Sequence, residues 1–200
     1  MRTKPFASVA ATAAGAGILM LASCSSPAKN AAPAHSRGVS ATAADSASAA
    51  RPPGGAVHMI AYSINSDGPR FSAIVTGAVG DHGGGVTVYP NGKVDPGHTS
   101  QLSLRLTHGS FRLSIAGLDK KIVTAFRHWQ GNAATCSGSL SVTDPALVVA
   151  GSGTGLYRGI KGSLTLTATI DEIDAKPCEG TGKFLWQVIV IAGQGTVSVG

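Results

Sequence analysis

From Val57 onward, apolar residues recur at every second position in short runs separated by clusters of glycine, proline, asparagine and aspartate. That is the pattern of half-buried strands joined by tight turns. The clearest run is 163–170, where Leu164, Leu166, Ala168 and Ile170 alternate with Ser163, Thr165, Thr167 and Thr169. It follows Gly151, Gly153 and Gly155, a loop composition suited to positive φ. Val57 to Ile64 and Arg70 to Val79 read as two earlier strands, and Asp81-His82-Gly83-Gly84-Gly85 as the turn into Val86 to Tyr89. Leu102, Leu104 and Leu106, then Phe111, Leu113 and Ile115, form the two sides of a hairpin about His108-Gly109.

The stretch 118–129 mixes two signals. Ile122, Ala125, Phe126 and Trp129 fit a helical stripe, whereas Ile122-Val123-Thr124 favours a strand, so a short helix or an irregular crossing is expected. Ala134 to Val142 is a further strand, which Asp144-Pro145 should end, and Thr196 to Val199 closes the chain. Phe184 to Ile191 is apolar at both alternating sets of positions, which predicts burial on both faces, by something packed outside the wall or by a partner. About eight short strands with glycine turns predict an all-β fold, a small antiparallel up-and-down β-barrel, because closure removes exposed sheet edges.

The segment before this pattern has a different character. Arg2 and Lys4 precede an apolar run from Phe6 to Leu21, too short and too glycine-interrupted for a spanning helix. Its end, Leu21-Ala22-Ser23-Cys24, resembles the lipobox of bacterial lipoproteins. The resemblance implies cleavage before Cys24, acylation of that residue, and a lipid-anchored protein on the outer side of the cytoplasmic membrane. Two or more acyl chains, at about 0.8 kcal/mol per buried methylene, make such an anchor durable. Residues 1–23 are thus expected as a signal peptide and 24–55, rich in Ala, Ser and Pro, as a flexible stalk. Residues 56–200 are expected as the barrel domain.

Charge adds little to this picture. Losing Arg2 and Lys4 with the signal lowers the formal charge from +6 to +4, and the remaining basic residues are scattered apart from Lys120-Lys121. Without clustered Lys/Arg and interleaved aromatics, nucleic acid is not an expected partner. Cys136 and Cys178 are the two cysteines left after processing. In an exported domain an even pair is expected to form a disulfide, the alternative being two separate buried thiols. His82, His98, His108 and His128 show no local ligand spacing, so no metal site is expected, and nothing in the sequence calls for a cofactor. Asp171-Glu172-Ile173-Asp174 reads as a solvated turn at a strand end rather than a catalytic carboxylate pair, and Asp119 beside two lysines as a surface residue.

The run Gly-Thr-Gly-Leu-Tyr-Arg-Gly-Ile-Lys-Gly at 153–162 resembles the glycine-rich turn of the allene oxide cyclase and dirigent barrels, with Tyr157, Gly159 and Gly162 at the matching places. The resemblance implies a cofactor-free cyclase or isomerase acting in the barrel cavity. An interior of Leu, Ile, Val and Phe without a catalytic signature instead predicts a barrel that binds a small apolar molecule or presents a surface to an envelope partner. No motif carries over the catalytic residues of those families. Tyr157 is the residue expected to touch a ligand. A structural envelope protein with a filled barrel is the remaining expectation.

Overall fold

The structure, a computed structural model, describes residues 53–64, 68–128, 131–175, 178 and 184–200. Eight strands form one antiparallel sheet: β1 (Gly55–Ile64), β2 (Arg70–Gly77), β3 (Asp81–Val88), β4 (Gln101–Leu106), β5 (Gly109–Ser114), β6 (Ser137–Leu147), β7 (Ile160–Asp174) and β8 (Phe184–Val199). One helix, α1 (Ala116–Arg127), links β5 to β6. The spatial order is β5-β4-β3-β2-β1-β8-β7-β6, so every neighbour except β1–β8 is also a neighbour in sequence. The sheet curls into a half-barrel whose inner face holds Val57, Met59 and Ala61 of β1, Leu102 and Leu104 of β4, and Leu164, Leu166 and Ala168 of β7. The alternation that predicted the strands is therefore the alternation of inside and outside.

The gap between β5 and β6 is spanned by the connector that follows β6. Leu113 and Val148 form a single bridge, and the Val149, Thr154 and Leu156 N–H groups donate to the Arg112, Ser110 and His108 carbonyls at 2.8, 2.8 and 3.0 Å. The free edge of β5 is thus occupied by irregular backbone instead of a strand, which removes the pairing hazard of an open edge. This seam ends in a 3-10 turn, Gly155–Tyr157. Gly155 has φ +57°, and a Cβ there would run into the His108 carbonyl oxygen. Only glycine meets both demands.

Several boundaries differ from the sequence expectation. Gly83-Gly84-Gly85 lies within β3, paired to β2 and β4, and is not a turn. A Cβ on Gly83 would strike the Arg105 carbonyl oxygen, so the glycine permits a close strand crossing. Pro145 does not end β6. This strand pairs only with β7, and on an outer strand the missing N–H of proline can be tolerated. Asp171 to Asp174 continue β7 opposite β8, and β8 runs unbroken through Gly193 and Gly195. The twelve residues of α1 resolve the ambiguous stretch in favour of helix, with Leu118 buried beneath it. Burial of both faces of 184–191 is not observed: Leu185 is 63% and Trp186 49% exposed, and outward-facing Ile60, Tyr62 and Ile74 on the adjoining strands are exposed too.

Cys136 and Cys178 form a disulfide with Cα atoms 5.0 Å apart. It joins the start of β6 to the β7–β8 connection and encloses all of β7. The signal, Cys24 and most of the stalk lie outside the described residues.

Candidate functional site

Helix α1 crosses one end of the half-barrel and leaves a cavity of about 250 Å3 between itself and the inner face of the sheet. The walls are mostly apolar: Phe71, Ile115, Leu118, Ile122, Phe126 and Ile189 stand among them. The polar residues of the lining are Thr87, His98, Asp119 and Gln187. A cleft of about 270 Å3 adjoins it, sharing His98, Gln187 and Ile189, so these three side chains stand at the boundary between the two spaces. The cavity is near the lower end of ligand-pocket volumes, about 300 Å3, and has their usual make-up of apolar walls and few polar groups.

His98 is held there by the loop between β3 and β4. Buried Asp95 accepts bonds from the Gly97 N–H at 2.9 Å, the Thr99 N–H at 2.9 Å and the Thr99 hydroxyl at 2.8 Å. This side-chain turn orders residues 95–99 and sets His98 at φ +59°. Burial alone would raise the Asp95 carboxyl, but its bonds from Thr99, Gly97 and Tyr89 outweigh that and lower it. It stays ionised.

The hydrogen bonds of Thr87 then fix the histidine tautomer. Its single hydroxyl hydrogen goes to the Asp95 carbonyl at 2.6 Å. The 3.1 Å contact between Thr87 Oγ1 and His98 Nδ1 must therefore be a donation from the ring N–H. Neutral His98 carries its proton on Nδ1 and presents Nε2 as an acceptor. Burial keeps the ring neutral by pushing its pKa down, against the pull of the Asp95 and Asp119 carboxylates. The ring also packs edge-on against Phe71, with centroids 6.1 Å apart.

Asp119 sits in the first turn of α1, where the helix dipole favours a carboxylate. Burial raises its pKa, and the charge of Asp95 raises it further, while His98 acts the other way. Its neighbours in sequence turn elsewhere: Lys121 forms an ion pair with Asp144 at 2.6 Å and donates to the Thr143 carbonyl at 2.7 Å. Gln187 donates to Glu172 Oε2 at 2.6 Å, and burial raises the Glu172 carboxyl.

Tyr157 stands apart from the cavity. It is 1% exposed, packs edge-on against Phe111, and donates its hydroxyl to Asp81, near the β2–β3 turn. His82 and His108 meet at the same carboxylate, with His108 Nδ1 at 3.2 Å. His128 lies on the outer side of α1 with Lys120 and Lys121. Sequence reasoning left His98 and Asp119 as surface residues. The one local signal was the Asp95-Pro96-Gly97 turn immediately before a histidine. Compared with family models, curated proteins and solved structures, the chain gives no match.

Proposed function

We propose that the chain is an exported lipoprotein, acylated at Cys24 and tethered through residues 24–55, whose barrel domain holds a small apolar molecule in the cavity beneath α1. The observation that carries the binding reading is the cavity itself: an apolar chamber of about 250 Å3 with a tautomer-locked histidine at its boundary. A protein interior normally closes such a space, because unfilled volume forfeits packing contacts. The resemblance of 153–162 to the allene oxide cyclase and dirigent turn supports the same reading, and the lipobox-like 21–24 supports the anchor.

Native mass spectrometry of the protein from its own cells tests the binding reading. An adduct of roughly 100–200 daltons, the mass of about ten heavy atoms, that Ile122→Trp removes is the expected result; a bare protein mass in both samples overturns it. Incorporation of an alkyne-tagged fatty acid, lost in Cys24→Ser, tests the anchor, and equal labelling of both proteins refutes it.

A second reading is a cofactor-free cyclase or isomerase. It is favoured by the neutral His98 base and the burial-raised Asp119 carboxyl on one apolar cavity, a pairing suited to moving a proton. Turnover of an epoxide-type lipid, lost in His98→Gln, supports it. Binding of that lipid without turnover leaves the protein a binder.

A further inference from the structure

We infer that the occupant of the cavity is a primary alkylamine: an apolar chain of about eight carbons ending in an ammonium group seated between Asp119 and His98. This rests on the binding reading above and specifies the chemistry of the ligand.

The inference comes from counting donors and acceptors. His98 Nδ1 is committed to Thr87, so Nε2 is the nitrogen left to accept on a ring that lines the site. The Asp119 carboxylate lines the same space and, among the described residues, receives no hydrogen bond and no ion pair. No Lys or Arg belongs to the lining, and the two lysines after Asp119 lie on the other side of α1 beside Asp144. Among the described residues the site therefore offers a negative charge and a neutral nitrogen acceptor, with no Lys or Arg in its lining to balance them. A half-buried carboxylate in apolar surroundings is costly unless paired.

An ammonium group answers both demands. It supplies three donors and no acceptor, so one N–H reaches the carboxylate and another the imidazole nitrogen. Phe71 and Phe126 flank the space, and aromatic faces attract cations. A carboxylate ligand would meet Asp119 and buried Asp95 as like charges, and an alcohol would supply one donor to two acceptors. The volume sets the chain length. A cavity of about 150 Å3 holds benzene, with six heavy atoms, so by proportion about 250 Å3 holds about ten. Octylamine has nine heavy atoms.

The test compares octylamine, 1-octanol and octanoate binding to the full chain carrying Cys24→Ser, which takes no acyl group, in detergent-free buffer at pH 7.5 by titration calorimetry. Octylamine is expected to bind about tenfold more tightly than 1-octanol, with octanoate weakest. Asp119→Asn, with its fold checked by circular dichroism, should shrink the amine's advantage over the alcohol to about twofold. In the same Cys24→Ser chain with Asp119 retained, carboxyl-detected NMR should show Asp119 titrating at lower pH with octylamine present and unmoved by 1-octanol. Equal binding of all three ligands, or an Asp119 titration that octylamine leaves in place, overturns the amine inference while the apolar-cavity reading stands. Failure of all three to bind overturns both.

Discussion

The Tyr157 hydroxyl donates to Asp81 Oδ2 at 2.5 Å, joining residues 76 apart in sequence. Asp81 lies at the start of β3 and Tyr157 at the end of the seam that seals β5, so this bond ties the closing backbone to the sheet it closes. The same carboxylate accepts from the Thr107 hydroxyl, from the His108 N–H at 3.0 Å and from the His82 N–H at 2.7 Å. Burial would raise its pKa, but these bonds prevail and hold it well below the usual carboxylate range.

Removing the hydroxyl leaves the buried carboxylate one donor short, so Tyr157→Phe should cost about 1.5–3 kcal/mol, the range for a bond to a charged group. The pH dependence follows from the direction of each shift. The lowered Asp81 pKa contributes stability above about pH 4, lost as the solution is acidified through the lower folded value. Tyr157 is raised by burial and by Asp81, so its share is present below about pH 10 and is lost above it. Tyr157→Phe should therefore move the acid unfolding midpoint upward and abolish the tyrosine-dependent loss at high pH. Chemical denaturation at a series of pH values measures both.

The seam yields a paired glycine test. Gly151 has φ +69° with open space around it, so Gly151→Ala should cost only left-handed strain, about 1 kcal/mol. Gly155→Ala adds a collision with the His108 carbonyl oxygen to similar strain, and should cost about 3 kcal/mol or more. Equal melting temperatures for the two variants would contradict the close approach of seam and strand.

The Cys136–Cys178 bridge closes a sequence separation of 42. Chain entropy gives about 4 kcal/mol for such a loop, so Cys136→Ser with Cys178→Ser should lower stability by up to that amount. Alkylation without reductant should leave the mass of these two residues unchanged; labelling of both would contradict the bridge.

The ion pair between Lys121 and Asp144 is short, but the lysine side chain is 53% exposed. Screening limits its worth, and Lys121→Met should alter stability by no more than about 1 kcal/mol. A larger loss in urea denaturation would mean that the bond to the Thr143 carbonyl anchors α1 to β6.

Strand positions were legible where the two faces differ in polarity, as in 163–170, because burial writes itself as alternation. The strand through Gly83 was hidden because the residue that allows close sheet crossing is the residue that marks a turn. In β8 the alternation is absent, and sequence has no means of showing that Trp186 remains exposed on a strand without a polar face. The cavity was hidden for another reason. His98 and Asp119 are 21 positions apart and line one cavity only because a left-handed histidine and a crossing helix converge on one end of the sheet.

The pairing of β1 with β8 sets the start of β1 far from that cavity. Strand β1 begins at Gly55, opposite Val197, and arrives at the cavity end only at Ile64, opposite Val188. Ten residues of extended chain span about 30 Å. The start of β1 and the chamber thus lie at opposite poles of the half-barrel, so a label or fusion placed at Gly55 leaves the mouth of the chamber unobstructed.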